Sequence, residues 1–178
     1  MYSATGPWGS GSYVYDALGN LRSRTEGAVT TAATIGVLNR VGTVTRTGQP
    51  NRVYTYDARG NAATVGAMSF TYDFANQPVA VSGAASAAYD YDANLKRVKE
   101  VRAGKTTYTV YSKLTGGLIY RDEATDGRKT DYVSAGGSAL RLITGTGAGV
   151  EYVHGDHLGS PIAATDGVGA VAWQGRQA

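Results

Sequence analysis

The chain has 178 residues with 25 Gly, 13 Tyr, 2 Phe, 4 Pro and no Cys, and 17 basic against 14 acidic side chains leave a net charge of +3. The absence of Cys excludes a disulfide-stapled scaffold and a thiolate zinc site, the scarcity of Pro excludes collagen and low-complexity disorder, and no apolar run approaches the ~18 residues a membrane helix needs. The basic surplus is spread along the chain (6 against 3 in residues 1–60, 6 against 4 in 61–120, 5 against 7 in 121–178), so nothing resembles the phosphate-tracking stripe of a nucleic-acid binder.

Residues 1–12 carry neither the charged nor the apolar region of a signal peptide and are expected to be a poorly ordered lead-in. From Tyr13 a pattern begins. Tyr13-Val14-Tyr15 alternates as a half-buried strand does, with both tyrosines on one face. Asp16-Ala17-Leu18-Gly19 then has the chemistry of a type I turn: an Asp whose carboxylate bonds N–H groups ahead of it, and a Gly that accepts positive φ. Such a turn, followed by Asn20, closes a hairpin with a small bulge. Leu38 to Val41 lies where an eroded second copy falls. Tyr54-Thr55-Tyr56-Asp57-Ala58-Arg59-Gly60-Asn61 repeats the unit almost residue for residue.

Weaker copies follow at Phe70 to Asp73, with Tyr72-Asp73 at the turn, and at Tyr89 to Asp92, with Tyr91-Asp92. Asn76 replaces Gly at the fourth turn position and is the next-best residue for a left-handed backbone. Leu95 occupies that position after Asp92. It breaks the rule, and the expectation is that the turn shifts so that Asn94 takes the positive φ. Alternation splits the basic run after it, sending Lys96 and Arg102 to one face and Arg97 and Lys99 to the other. That reads as a solvated hairpin. Further tyrosines at 111, 132 and 152 continue a spacing of about twenty residues, Ser112 stands where Asp is usual, and Gly116-Gly117, Gly136-Gly137 and Gly145–Gly149 mark more turns. Asp166-Gly167-Val168-Gly169 restores the full turn. No ten-residue segment has helical periodicity, so at least ten strands and almost no helix are expected. A single hairpin is marginal in water, so the hairpins must pair side by side into one continuous sheet.

The Tyr-Asp-x-x-Gly-Asn units at Tyr15–Asn20 and Tyr56–Asn61 resemble the YD repeats of RHS proteins. The stretch Asp156-His157-Leu158-Gly159-Ser160-Pro161, followed by Thr165-Asp166, Gly169 and Trp173, resembles the RHS repeat-associated core signature. The resemblance implies an all-β architecture of consecutive antiparallel hairpins forming a curved, open shell sheet. YD repeats would occupy 13–150 and the core signature 151–178, with the sequence stopping before any Asp-Pro-x-Gly self-cleavage pattern or toxin domain. It further implies a secreted or surface-associated bacterial protein, partnered by the remaining repeats of its shell and by an enclosed toxin or other cargo. The signature residues then act as fold elements, and no enzymatic role follows from them.

Other chemistry in the sequence is thin. His154, Asp156 and His157 are the one compact group with metal-ligand chemistry, but adjacent strand residues point to opposite faces, so they offer two ligands and not three. A structural turn is the expected role, with no metal and no cofactor. Ser160 sits in Gly159-Ser160-Pro161, which reads as a turn and lacks the base, acid and oxyanion pocket of a serine nucleophile. Gly145–Gly149 lacks the following helix that a phosphate loop requires. Trp8 and Trp173 could stack on sugars, which makes a carbohydrate-binding adhesion module the alternative function.

Overall fold

In the computed structural model the described residues are 2–6, 9–135, 138–158 and 160–175. They form eighteen strands and, as the sole helical element, a short 3₁₀ turn at Val37–Asn39. None of it is long and apolar enough to cross a membrane as a helix. The chain divides into two units, Met1–Ser86 and Ala87–Ala178.

The first unit contains β1 (Tyr2–Gly6), β2 (Gly9–Tyr15), β3 (Leu21–Glu26), β4 (Val29–Ile35), β5 (Val41–Arg46), β6 (Gln49–Tyr56), β7 (Ala62–Val65), β8 (Met68–Tyr72) and β9 (Pro78–Gly83). The second contains β10 (Ala87–Tyr91), β11 (Arg97–Arg102), β12 (Lys105–Tyr111), β13 (Leu118–Glu123), β14 (Arg128–Ala135), β15 (Ser138–Gly145), β16 (Gly149–Gly155), β17 (Pro161–Asp166) and β18 (Val171–Gln174). Within each unit every strand pairs antiparallel with its neighbours in sequence, which is a plain meander. The all-β, hairpin-by-hairpin fold is as the repeat predicts. Residues 1–12, by contrast, contribute β1 and the start of β2, joined in a ladder from Tyr2↔Tyr13 to Gly6↔Gly9 over their described part. The residues at 136 and 137, where a Gly turn is expected, lie outside the described ones, as do Trp8 and Gly159.

A sheet of this kind has little interior. Among the described side chains only Thr130 and Ile143 (each 5% exposed) and Ala164 (0%) are buried. The accessible surface is 12138 Å², against roughly 8,200 Å² for a compact monomer of this mass. The two-thirds burial of a compact globule is therefore not reached. A single layer covers its faces with its own side chains.

The turns explain the repeat. Asp16 accepts the Gly19 N–H on its carbonyl (3.1 Å) and donates its own N–H to the Asn20 carbonyl (3.0 Å). Its Oδ1 accepts the N–H groups of Leu18 (3.0 Å) and Asn20 (2.9 Å). Gly19 has φ +83°, as the expected type I turn with a left-handed fourth residue demands. The same carboxylate-to-backbone pair recurs at Asp57, Asp73, Asp92, Asp156 and Asp166. Gly60, Gly169 and Asn76 take the positive φ expected of them.

Leu95 does not obey the expectation. It is itself left-handed, at φ +60°, and Asn94 is not. The reason is the hydrogen-bond set: Asp92 Oδ1 holds the N–H of Asn94 and Lys96 at 2.9 Å each, and the Asp92 carbonyl accepts from Leu95 at 3.0 Å. A shifted turn would break these bonds. The turn geometry outweighs the residue's preference.

The eroded copy is a real turn. The Gly36 N–H donates to the Arg40 carbonyl at 2.7 Å, as Asp16 does to Asn20. With Gly at the Asp position no carboxylate organises the loop, and both Leu38 (φ +58°) and Asn39 (φ +56°) turn left-handed. Ser112 makes the turn one residue longer, closing on Gly117 (2.8 Å), with its hydroxyl accepting the N–H of Leu114 and Thr115 at 3.2 Å. Tyr111 thus holds the repeat position. Tyr152 does not: the Asp156 turn is preceded by Gly155, and Tyr152 lies mid-strand opposite Leu140 and Thr165.

Candidate functional site: the turn rim and the tyrosine face

Alternating antiparallel strands place successive turns on opposite edges. In the first unit the turns beginning at Asp16, Gly36, Asp57 and Asp73 share one edge, and in the second those beginning at Asp92, Ser112 and Asp156 do. The Asp166 turn has the same chemistry but falls on the opposite edge, between β17 and β18.

Neighbouring turns on the rim are bonded to each other. Asn20 Nδ2 donates to Asp16 Oδ2 at 3.0 Å and also to Asn39 Oδ1 of the next turn at 2.7 Å. Asn61 Nδ2 repeats both, to Asp57 Oδ2 at 3.0 Å and to Asn76 Oδ1 at 2.9 Å. Arg59 donates to the Asp73 carbonyl at 2.8 Å and lies 5.6 Å over the Phe74 ring. The side-chain bond from Asn20 is the chief cause holding the Asp16 carboxyl below the usual carboxylate range, and that from Asn61 does the same for Asp57.

The second tyrosine of two units, Tyr56 and Tyr72, has a backbone partner that the sequence reading missed. After each turn the outgoing strand carries one extra residue. Tyr56 faces Ala62 while Thr55 faces Thr64, and Tyr72 faces Pro78 while Thr71 faces Ala80. Such bulges interrupt the ladder beside the turn. Tyr56 reaches to the start of β5 and donates its hydroxyl to the Val41 carbonyl at 2.9 Å, just past the Gly36 turn. Tyr72 donates to the Ala62 carbonyl at 3.1 Å, just past the Asp57 turn. Each tyrosine closes the bulge of the unit before it. Basic residues that end one turn cover the tyrosine of the next: Arg40 lies 5.1 Å over Tyr56, and Lys96 5.4 Å over Tyr111. The available signal was the excess of Tyr over Phe, because Phe70 stands at the first aromatic position and never at the second.

The basic run of the second unit is tied down. The bulge at Val98 sets Arg97 opposite Tyr91, where it pairs with Glu100 at 3.2 Å and lies 5.0 Å over Tyr89, while Lys99 pairs with Asp90 at 3.2 Å. Strict alternation would have put Arg97 and Lys99 together, and the extra residue separates them. Lys105 reaches Asp126 at 2.8 Å, which raises its own pKa. On the face that buries Thr130, Ile143 and Ala164, Glu151 binds Arg141 at 3.2 Å and sits 3.6 Å from Arg128.

The described residues of the signature stretch lie in the Asp156 turn, on β17 and β18, and in the turn between those strands. Asp156 Oδ1 is engaged by the N–H of Leu158 (2.9 Å) and Ser160 (2.8 Å), so its carboxylate points into its own turn. His154 Nε2 is 3.0 Å from Thr165 Oγ1 across the β16–β17 pair. Pro161 opens β17 opposite Gly155, and Trp173 sits opposite the fully buried Ala164. His157 is exposed at the tip. Among the described residues no three His, Asp or Glu side chains converge as a metal site. Among the open concavities described are one of about 490 Å³ over β3, β4 and β5 between Arg22, Arg24 and Arg46, and one of about 510 Å³ over β11 and β12 beside Lys96 and Tyr111.

These features define a single-layer antiparallel repeat sheet with a hydrogen-bonded turn rim. No family model matches the chain, and no curated protein matches it. Solved structures do. A chain of the crystal structure of TcdB2-TccC3-TEV has the same fold, with a TM-score of 0.51 at 10% identity over 95% of this chain. A chain of TcdB2-TccC3-Cdc42 gives 0.49 at 11% identity over 91%. The chain spans only 12% and 11% of the lengths of those two chains.

Proposed function

We propose that this chain is a length of non-catalytic wall from an RHS-type shell, secreted or held at a bacterial cell surface. Its task is to keep a C-terminal toxin or other cargo polypeptide away from solvent and from the cell that makes it. The observation that carries this reading is the near absence of an interior. A meander of bonded hairpins with three buried side chains among the described residues is suited to walling off something else, and poorly suited to building an enclosed pocket of its own. The fold likeness to a chain of the TcdB2-TccC3-TEV structure, which is far longer, supports it. So does the conversion of the signature Asp, Ser and Pro into turn geometry. The carbohydrate alternative gains nothing from the aromatic residues, because Trp173 shares a face with Ala164 while Tyr108 and Tyr152 lie on the opposite one.

The test is limited proteolysis of the full natural polypeptide that contains this segment. The part following the repeats should resist digestion until the wall is unfolded. Digestion at the rate of the same part expressed alone would overturn the proposal.

A further inference from the structure

One face of the first unit, bearing Arg22, Arg24, Arg46 and Arg52, is hollowed into an open groove. The concavity of about 490 Å³ over β3, β4 and β5 shares Thr31, Val44 and Arg46 with a second, of about 350 Å³, that continues to Arg52 on β6. Together they cross four paired strands, a span of about 14 Å at the usual strand spacing. Half-buried Val29, Ala33 and Val44 supply the apolar part of the lining. The whole groove lies inside the first unit.

Charge is the second observation. Two of these arginines are matched within the unit: Arg22 donates to the Ala33 carbonyl at 3.1 Å and stands 3.7 Å from Asp16, and Arg24 pairs with Glu26. Arg46 and Arg52 are not. Among the described residues neither guanidinium has an ion pair, a hydrogen bond or a ring contact, whereas every other described arginine except Arg102 has one. Arg52 faces Val44, and Arg46 lies two residues beyond Val44 on β5, so the two unmatched cations are diagonal neighbours about 7 Å apart. Like charges so placed work against the sheet, and an anion set between them removes the cost.

We infer that the groove binds an extended acidic polypeptide segment with carboxylates at every second residue. In an extended chain such residues project from one face about 7 Å apart, which matches the spacing of Arg46 and Arg52. The methylene stems of Glu can lie on Val44 and Ala33 while the carboxylates meet the guanidinium forks. A phosphate chain of similar pitch has no such stems, and no aromatic ring lines the groove to stack a base. The groove serves this role whether or not the chain walls off a cargo.

Fluorescence anisotropy of a labelled peptide of alternating Glu and Ser, titrated with the full chain at low salt, tests this. Binding should saturate with a Kd below about 1 mM and weaken as salt is added. Arg46→Gln combined with Arg52→Gln should weaken it about tenfold or more, while the melting temperature without peptide stays the same or rises. Arg102→Gln, which removes an unmatched arginine on β11 in the other unit, should leave binding unchanged. A peptide with Gln in place of Glu should not bind. Failure of the wild type to saturate overturns the inference, as does a double variant that binds like the wild type. Equal loss in Arg102→Gln overturns it too, because net charge alone would then explain the binding. So does an oligothymidylate of equal charge that binds as tightly as the peptide, because the groove would then read phosphate.

Discussion

Removing one hydroxyl tests the idea that Tyr56 and Tyr72 each close the bulge of the preceding unit. In Tyr56→Phe the ring stays and the donor to the Val41 carbonyl, 2.9 Å away, is lost. A net hydrogen bond contributes about 0.5–1.5 kcal/mol, and the pair is only partly buried, so water can reach the freed carbonyl and the cost is about 1 kcal/mol. Tyr72→Phe removes the equivalent bond to Ala62 and should cost about the same. Ala62, which accepts from Tyr72, faces Tyr56, so the two sites adjoin and the double variant should depart from additivity by about 0.5 kcal/mol or more. Tyr54→Phe is the control: its hydroxyl bonds to no described residue, and the equivalent site in the next unit is already Phe70. That change should be neutral. Thermal unfolding followed by circular dichroism reads the difference as about 2–4 °C per bond if the chain melts as one, and about 4–8 °C if the first unit melts alone. A Tyr54→Phe loss equal to that of Tyr56→Phe would refute the reasoning, because ring packing would then explain both. So would a neutral Tyr56→Phe.

Asp57→Ala should lower the melting temperature and Asp57→Asn should recover part of the loss, since an amide oxygen can still accept the Arg59 and Asn61 N–H bonds. The carboxyls of Asp16 and Asp57 lie below their unfolded value, so the stability they contribute is complete above about pH 4 and is lost as pH falls through their folded-state values. An acid titration of the melting temperature should therefore be shallower in the Asp57→Ala variant. Gly145→Ala should destabilise severely, because the residue has φ +77° and an added Cβ would stand 2.0 Å from the Gly127 carbonyl oxygen; a folded variant with an unchanged melting temperature would contradict the turn geometry. Zinc and chelator should each leave the melting temperature unchanged, since Asp156 is committed to backbone N–H groups and His154 to Thr165; a zinc-dependent rise would assign the pair a metal.

Much of this molecule is written in local chemistry. Alternation in Tyr13-Val14-Tyr15 and Tyr54-Thr55-Tyr56 sets the strands, and an Asp three residues before Gly sets the turns. Both act within five residues, so no distant contact is needed to read them. The positive φ of Gly19, Gly60, Asn76 and Gly169 follows from that reading. Leu95 marks where local preference fails: the backbone bonds gathered by Asp92 outweigh one residue's reluctance, and a propensity read for one residue does not sum those bonds. The role of Asn20 and Asn61 was invisible for a different reason. Each binds an Asn fifteen or nineteen positions away, a distance closed only when neighbouring hairpins pair. Tyr56 and Tyr72 likewise meet a carbonyl exposed by a bulge in another strand. Period and turn type belong to the chain, because they depend on short-range sterics and side-chain reach. Which edge a turn joins, what lies beside it, and which tips are left bare are decided by strand pairing, which brings together residues the sequence keeps apart.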